Sequence, residues 1–259
     1  MAAYSEVLIA TDGSKSADNA VAIGSRIAYR LGIPAIIITA YKNADGKANA
    51  EAVTQSCAAS ASTDYKASPV STIEREGNPF DVIVDIAEEH PTALLVVGSR
   101  GLGNPAQRLF GSVSNALSHS SPIDILFAHQ NPQAFGAVGL TTDGSDTSVV
   151  AVRKGYEIGN ALKGNCFLVT AAKDRAAGEA ILDKVESAIR TADPSIEVLR
   201  DVLSGVGPAE ALVNAAWKYD LMVMGNRGMS GFARMMGSVA NRVVHNGDAN
   251  LLLIKTVDK

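Results

Sequence analysis

The sequence predicts two tandem α/β domains, each with a five-stranded parallel sheet covered by helices on both faces. Three observations support this prediction: apolar β-branched runs alternate with segments of helical periodicity, the alternation occurs twice, and three sequence blocks recur in the same order. With 259 residues, of which 47% are hydrophobic and 19% charged, the chain is long enough for two well-packed cores.

The internal repeat defines the expected domain organisation. Three blocks of the first half, 7–14, 96–101 and 111–115, recur as 138–145, 223–228 and 237–241. Three matched blocks in register are hard to obtain by chance. We therefore expect one domain over residues 1–131 and a second over 132–259, with the polar, proline-containing segment 129–133 as the linker.

Local patterns predict each element of the first half. After a strand at 6–11, the spacing of Ala20, Ile23 and Ile27 predicts a helix that ends at Gly32. Pro79 is at a favoured first position for another helix. The remaining strands are expected at 35–40, 70–75, 93–97 and 123–128, and the remaining helices near 48–62 and 112–119.

The second half shows the same alternation of patterns. Ile181, Val185 and Ile189 fall on one face of a helix expected over 175–191. The strands are expected at 137–142, 166–171, 196–203, 221–224 and 250–254.

Charge, hydropathy and cysteine usage narrow the function classes. A net charge of −4 gives no electrostatic reason to expect nucleic acid or an anionic membrane as a partner. No apolar run is long enough to span a bilayer, and the start has no basic segment followed by a long apolar core, so we expect a soluble, cytoplasmic protein. Cys57 and Cys166 lie far apart among small or apolar residues, which favours structural thiols over redox function.

Two aspartates directly follow the first strand of each half. In an open parallel sheet, ligands bind outside the carboxyl ends of the strands where the strand order reverses, and Asp12 and Asp143 belong there. The Asp-Gly-Ser triplet also makes turns and caps helices, because its side chains accept backbone N–H groups. Both interpretations stay open from the sequence.

The glycine blocks give the stronger functional signal. Gly98 and Gly101 are followed after nine residues by Gly111 and Ser112, between a buried strand and a helix. Glycine leaves backbone amides accessible to a phosphate, and a helix start favours an anion. Four arginines in these loops either counter phosphate charge or are solvated: Arg100, Arg108, Arg227 and Arg234.

This combination of motifs resembles the nucleotide-binding branch of the universal stress protein (UspA) family. The likeness covers both halves and nearly the whole chain, and it is specific as a combination of Asp-Gly-Ser with Gly-x-x-Gly, nine residues, Gly-Ser. The resemblance implies Rossmann-like (adenine nucleotide alpha hydrolase-like) domains that bind ATP, alone or with Mg²⁺, in the service of stress response.

The resemblance also implies the binding residues. In the first half, the adenosine would lie near Ala10, Asp12 and Ala40. The base and ribose would be flanked by Val97 and Gly98. The phosphates would be held by Gly101, Gly111, Ser112 and Val113. The counterparts are Thr141, Asp143, Ala171, Met224, Gly225, Gly228, Gly237, Ser238 and Val239. Only eight residues separate Gly228 from Gly237, one fewer than in the family pattern, so the second site is expected to be the less secure one.

Other residues that could carry chemistry have simpler explanations. His119 and His245 each lie eight residues after the glycine of Gly-Ser, where a helix C-terminus favours a histidine, so a structural role is preferred over phosphohistidine or metal chemistry. Met222, Met224, Met235 and Met236 are expected in the core or lining a pocket. We assign no catalytic residue and no metal ligand.

Three functions remain as hypotheses: a regulatory nucleotide-binding protein, a slow ATP hydrolase or adenylating enzyme, and a protein-interaction module of the same fold. Neither Gly111-Ser112 nor Gly237-Ser238 carries the lysine that a P-loop requires, which argues against rapid ATP hydrolysis. As partners, the resemblance implies an adenine nucleotide and a homodimer, with the two domains of a chain paired through their last strands.

Overall fold

The computed structural model describes residues 3–99, 111–226 and 236–256 of the chain. The chain divides into two compact units, Met1–Asn131 and Pro132–Lys259. The loop residues 100–110 and 227–235 lie outside the described part, and with them Gly101, Gly228, Met235 and the four loop arginines.

In the first unit, strands and helices alternate along the chain, and neighbouring strands are parallel. The strand order is β3-β2-β1-β4-β5, so the order reverses between β1 and β4. The elements are β1 Val7–Ala10, α1 Lys15–Leu31, β2 Ala35–Tyr41, α2 Ala44–Thr63, β3 Val70–Glu76, α3 Pro79–Glu89, β4 Leu94–Gly98, α4 Ser112–Ser120 and β5 Ile125–Ala128.

The second unit repeats this topology. Its parallel strand order is β8-β7-β6-β9-β10, and the reversal lies between β6 and β9. The elements are β6 Ala137–Thr141, α5 Asp146–Ala161, β7 Asn165–Ala171, α6 Arg175–Ala192, β8 Leu199–Leu203, α7 Pro208–Ala215, a short 3₁₀ helix Ala216–Lys218, β9 Leu221–Gly225, α8 Ser238–Asn246 and β10 Asn250–Ile254.

The predicted fold class is confirmed, because each unit is a parallel sheet covered on both faces. Successive residues of a strand point to opposite faces, and Val7, Leu8 and Ile9 of β1 are all fully buried. The edge strands β3 and β8 are only partly buried and carry charged residues, which discourages pairing with other chains.

Local signals explain most boundaries of the elements. Ser14 caps the start of α1 through its hydroxyl, and Gly32 ends that helix in the left-handed conformation with φ of 66°. Among the strand starts, that of β8 shows the largest shift from its predicted position. The strand expected at 196–203 begins at Leu199, because Asp193 accepts the N–H groups of Ser195 (2.9 Å) and Ile196 (3.3 Å) and closes a turn there.

Gly155 on α5 offers a test of how closely helix and sheet pack. A β-carbon at Gly155 would lie 2.6 Å from Val223 Cγ1 and 2.9 Å from Leu140 Cδ2, both buried strand residues. We expect Gly155→Ala to lower the free energy of unfolding by about 1–2 kcal/mol, since overpacking outweighs the better helix propensity of alanine. Urea denaturation followed by circular dichroism measures this change.

Gly46 on α2 is the matched control for this substitution. A β-carbon there would meet its nearest neighbour, Tyr41 Cβ, at an ordinary 3.5 Å. Gly46→Ala should therefore leave stability unchanged or raise it by a few tenths of a kcal/mol. Equal effects of the two substitutions would contradict the close packing inferred for α5.

Candidate functional site

The segment 11–14, which we name the Asp12 turn, lies at the carboxyl end of β1. Asp12 Oδ1 accepts the N–H of Ser14 at 2.9 Å, and Gly13 adopts φ of +73°, a conformation that favours glycine. Thr39 on β2 donates its hydroxyl to the carbonyl of Thr11 at 2.9 Å. One carboxylate oxygen of Asp12 therefore shapes the turn, while the residue as a whole is exposed at the crevice.

The segment 142–145, the Asp143 turn, has the same construction at the end of β6. Asp143 Oδ1 accepts the N–H of Ser145 at 3.0 Å, and Gly144 adopts φ of +80°. Thr142 Oγ1 accepts the N–H of Gly144 at 3.1 Å, as Thr11 Oγ1 accepts that of Gly13 at 3.2 Å. The repeated triplet thus forms the same hydrogen-bonded turn twice.

Helices α4 and α8 begin at glycines that provide no capping side chain. Gly111 has φ −61° and ψ 150°, Gly237 has φ −60° and ψ 147°, and neither helix start has a side-chain cap hydrogen bond. By contrast, side chains cap the starts of α1, α2, α3, α5 and α6. Within the described residues, no side chain caps the starts of α4 and α8, and the helix dipole adds partial positive charge there.

The ends of the two glycine loops are anchored in the same way. The N–H of Gly111 donates to the carbonyl of Ser99 at 3.0 Å, and the N–H of Gly237 donates to that of Asn226 at 2.9 Å. Ser99 and Asn226 are themselves bonded to the ends of β5 and β10. The loop of the second unit is one residue shorter than that of the first, but the same hydrogen bonds hold the two ends of both loops.

Gly98 joins three elements at the reversal point of the first unit. A β-carbon on Gly98 would lie 2.9 Å from the carbonyl oxygen of Ser16, so only glycine lets the end of β4 approach α1 this closely. The hydroxyl of Ser114 on α4 donates to the carbonyl of Gly98 at 2.7 Å. This glycine thus has a packing reason beside the binding role expected from the sequence.

The structure places the described first-half candidates along one edge of the sheet. Ala10 and Val97 are direct partners in the pairing of β1 with β4 and are nearly buried. Ala40 lies next to the end of β2 and is half-buried. Asp12 follows β1 and Gly98 ends β4 at this edge, and Gly111, Ser112 and Val113 start α4 there.

A cavity of about 320 Å³ opens at the corresponding edge of the second unit. Eight of the nine second-half candidates line it, the ninth being Gly228 outside the described residues: Thr141, Asp143, Ala171, Met224, Gly225, Gly237, Ser238 and Val239. Its walls combine apolar side chains with hydroxyls, one carboxylate and the start of α8.

Six lining residues were not predicted from the sequence: Thr142, Ser148, Val169, Pro208, Leu212 and Ala240. Strand periodicity could have found Val169, which shares a face of β7 with Ala171 two positions on. Helical spacing likewise relates Pro208 to Leu212, but only the folded chain shows that α7 borders this cavity.

The histidines and methionines lie where structural roles place them. His119 and His245 occupy the last turns of α4 and α8. Met222 is fully buried, and Met224 lines the cavity. Among the described residues, no group of three or more His, Cys, Asp or Glu side chains is arranged to hold a metal ion.

The two cysteines have different environments. Cys166 is buried, and a β-carbon on Gly159 of α5 would lie 2.6 Å from its sulfur. Burial raises the pKa of the Cys166 thiol from 9.0 to about 11. Cys57 is half-buried, 3.9 Å from the hydroxyl of Thr11, and burial also raises its pKa.

We expect a thiol-reactive disulfide reagent to label Cys57 faster than Cys166 at pH 8, because the thiolate is the nucleophile and Cys166 is both covered and largely protonated. Labelling rates of the folded chain, with a Cys57→Ser variant to isolate Cys166, measure this difference. Equal labelling rates would contradict the packing seen at Cys166.

The raised pKa of Cys166 also stabilises the fold at pH values below the ordinary thiol pKa of 9.0. This contribution to stability disappears as the pH rises toward about 11.

Two parallel sheets with the order reversal between their first and fourth strands define a tandem Rossmann-like α/β protein. The model of the Universal stress protein family matches residues 3–129 and 135–255. The chain belongs to this family, and the resemblance stated from its sequence is confirmed.

Individual proteins agree with this assignment. A universal stress protein of Mycobacterium tuberculosis is 33% identical over 147 residues, which cover 50% of this chain and 99% of the relative. The crystal structure of a universal stress protein from Archaeoglobus fulgidus has a TM-score of 0.74 at 17% identity and covers 98% of this chain and 99% of its own, which supports the fold. A universal stress protein solved in complex with cAMP is 32% identical over 48% of this chain and 100% of its own, with a TM-score of 0.41.

No helix within the described ranges combines the length and the apolar character needed to cross a membrane.

Proposed function

We propose that this universal stress protein binds ATP at two sites, one in each domain, and acts in stress regulation through nucleotide binding. The observation that carries the proposal is the cavity of the second unit, where apolar walls lie beside the start of α8, a helix start that no described side chain caps. A nucleotide combines an apolar base with an anionic phosphate chain, and this cavity offers a suitable environment for each.

The size and lining of the cavity support this proposal. Small-molecule sites span roughly 300–1,000 Å³ and combine apolar walls with a few polar groups. Val169, Leu212 and Met224 supply apolar surface for a base, and Thr142 and Ser148 supply hydroxyls. The cavity of about 320 Å³ is large enough for the base and ribose, with the phosphates directed toward the start of α8.

Phosphate recognition is assigned to the first turns of α4 and α8. The N–H groups that follow Gly111 and Gly237 would donate to an anion bound at the helix start, and glycine removes the side chain that would block its approach. Mg²⁺ bridging phosphate oxygens would neutralise part of the remaining charge.

Binding is favoured over turnover as the biochemical role. Neither Gly111-Ser112 nor Gly237-Ser238 carries a lysine, and the carboxylate oxygen Oδ1 of Asp12 and of Asp143 is already engaged in a turn. A slow ATP hydrolase and a protein-interaction module are the alternatives. ATP identified by mass in the purified protein supports nucleotide binding over the interaction role, and rapid phosphate release would favour the hydrolase.

Substitution of Gly111 and Gly237 by aspartate tests ATP binding without disturbing the fold. The φ and ψ values of Gly111 and Gly237 are open to any residue, so Gly111→Asp and Gly237→Asp introduce no backbone strain. The new carboxylate accepts the first-turn N–H groups and repels phosphate. We expect at least a tenfold loss of ATP affinity at the substituted site, roughly one charged hydrogen bond, with stability unchanged or raised by a few tenths of a kcal/mol.

Isothermal titration calorimetry with ATP and thermal unfolding measure the two effects. Gly111→Ala and Gly237→Ala are the matched controls, since they add only a β-carbon and should weaken ATP binding less. Competition by ADP, AMP and a cyclic nucleotide ranks the ligands. If both aspartate variants are folded and bind ATP as the parent chain does, the site assignment is wrong.

The assembly and location of the protein belong to the same proposal. We propose a cytoplasmic homodimer in which the two domains of each chain also pair through their last strands. The strands β5 and β10 come last in the strand order of their own units, and a terminal strand is one that proteins cover by pairing. A monomeric mass in light scattering would contradict the homodimer.

A further inference from the structure

The Asp12 and Asp143 turns are built alike but covered differently. In the Asp143 turn, Gly144 and Ser145 are buried, whereas Gly13 is exposed and Ser14 is half-buried in the Asp12 turn. Since both turns lie at the mouths of the proposed nucleotide sites, this difference distinguishes the two sites.

The cover over each turn comes from the helix that follows the second strand of its unit. Val53 of α2 and Ile181 of α6 hold the same place, 3.1 Å and 3.2 Å from the β-carbon position of Gly13 and Gly144 respectively. Three residues further along, α6 carries Lys184, whose Nζ donates to the carbonyl of Gly144 at 2.7 Å. The matched position of α2 is a serine, too short to make this bond.

The two covering helices also differ in their anchoring. The buried residues of α6 include Leu182, Val185 and Ile189. The buried residues of α2 are Ala50, Thr54 and Ala61, which bury less apolar surface. Helix α6 therefore buries larger apolar side chains than α2, and Lys184 links it to the Asp143 turn.

A hydroxyl pair adds to the order of the Asp143 turn. Thr142 Oγ1 lies 2.7 Å from Ser148 Oγ, and Ser148 donates to the carbonyl of Ser145 at 2.7 Å. In the first unit the counterpart of Ser148 is Ala17, which has no hydroxyl. The Asp143 turn is thus connected both to α5 and to α6.

A site that is ordered before its ligand arrives loses less conformational freedom on binding and binds more tightly. We infer that Lys184 is a positioning residue that makes the second site the tighter one, so that the nucleotide fills the second domain before the first. This inference rests on the proposed nucleotide binding. It is opposite to the expectation from the shorter second loop, by which the second site would be the less secure one.

Lys184→Met tests the role of the ammonium group, since methionine keeps most of the apolar stem. We expect ATP affinity at the second site to fall about fivefold to tenfold, comparable to the net contribution of one ordinary hydrogen bond, with no change at the first site. Lys184→Arg should restore affinity, because arginine also donates. Ser56→Lys places a lysine at the matched position of α2 and should tighten the first site.

Calorimetry on the full chain measures the ATP affinity of each site separately when the other site is weakened by its aspartate substitution. The Gly111→Asp background isolates the second site, and Gly237→Asp isolates the first. With Lys184 present, the isolated second site should bind ATP more tightly than the isolated first site. Thermal unfolding of each variant shows whether an effect is a general loss of stability.

The outcomes separate this inference from the proposed function. If the parent chain binds no ATP at either site, the proposed function fails. If ATP binds but the two sites have equal affinity, or if Lys184→Met weakens both sites alike or neither, the positioning role of Lys184 is overturned while nucleotide binding survives.

Discussion

The N–H groups at the starts of α4 and α8 impose the constraint on which the proposed sites depend. Backbone donors need an acceptor, and most helices of this chain supply one from a capping side chain. At Gly111 and Gly237 no such side chain is present. The parallel sheet holds these donors at its carboxyl edge, next to the turn that follows the first strand of each unit. An anion at this point satisfies them, which makes the site a consequence of an uncapped helix.

Duplication gives this chain two versions of one arrangement, and comparing them shows which parts are variable. The hydrogen bonds that close the glycine loops and shape the aspartate turns occur in both units. The helices that cover the turns have diverged instead, α2 toward alanine and serine and α6 toward larger apolar residues. A difference between the two domains in ligand affinity therefore arises most readily from the covering helices.

Much of the fold could be predicted from the sequence because its signals are local. The apolar run at the start of the chain gave β1, Pro79 marked the start of α3, and the recurrence of Asp-Gly-Ser showed two domains. The start of β8 was misplaced, because a hydrogen-bonded turn at Asp193 competes with strand propensity there. The glycine motifs on which the candidate residues lie were also visible in advance, and the binding role of those residues stays a prediction.

By itself, the sequence determined the doubled α/β pattern, the family and the glycines at which α4 and α8 begin. These properties depend on periodicity and on residues a few positions apart. Only the tertiary structure decided that Pro208 and Leu212 border the second cavity, that Gly98 must admit the carbonyl of Ser16, and that Lys184 reaches Gly144. Each of these contacts joins segments far apart in the chain, and packing places them together without any local pattern that records it.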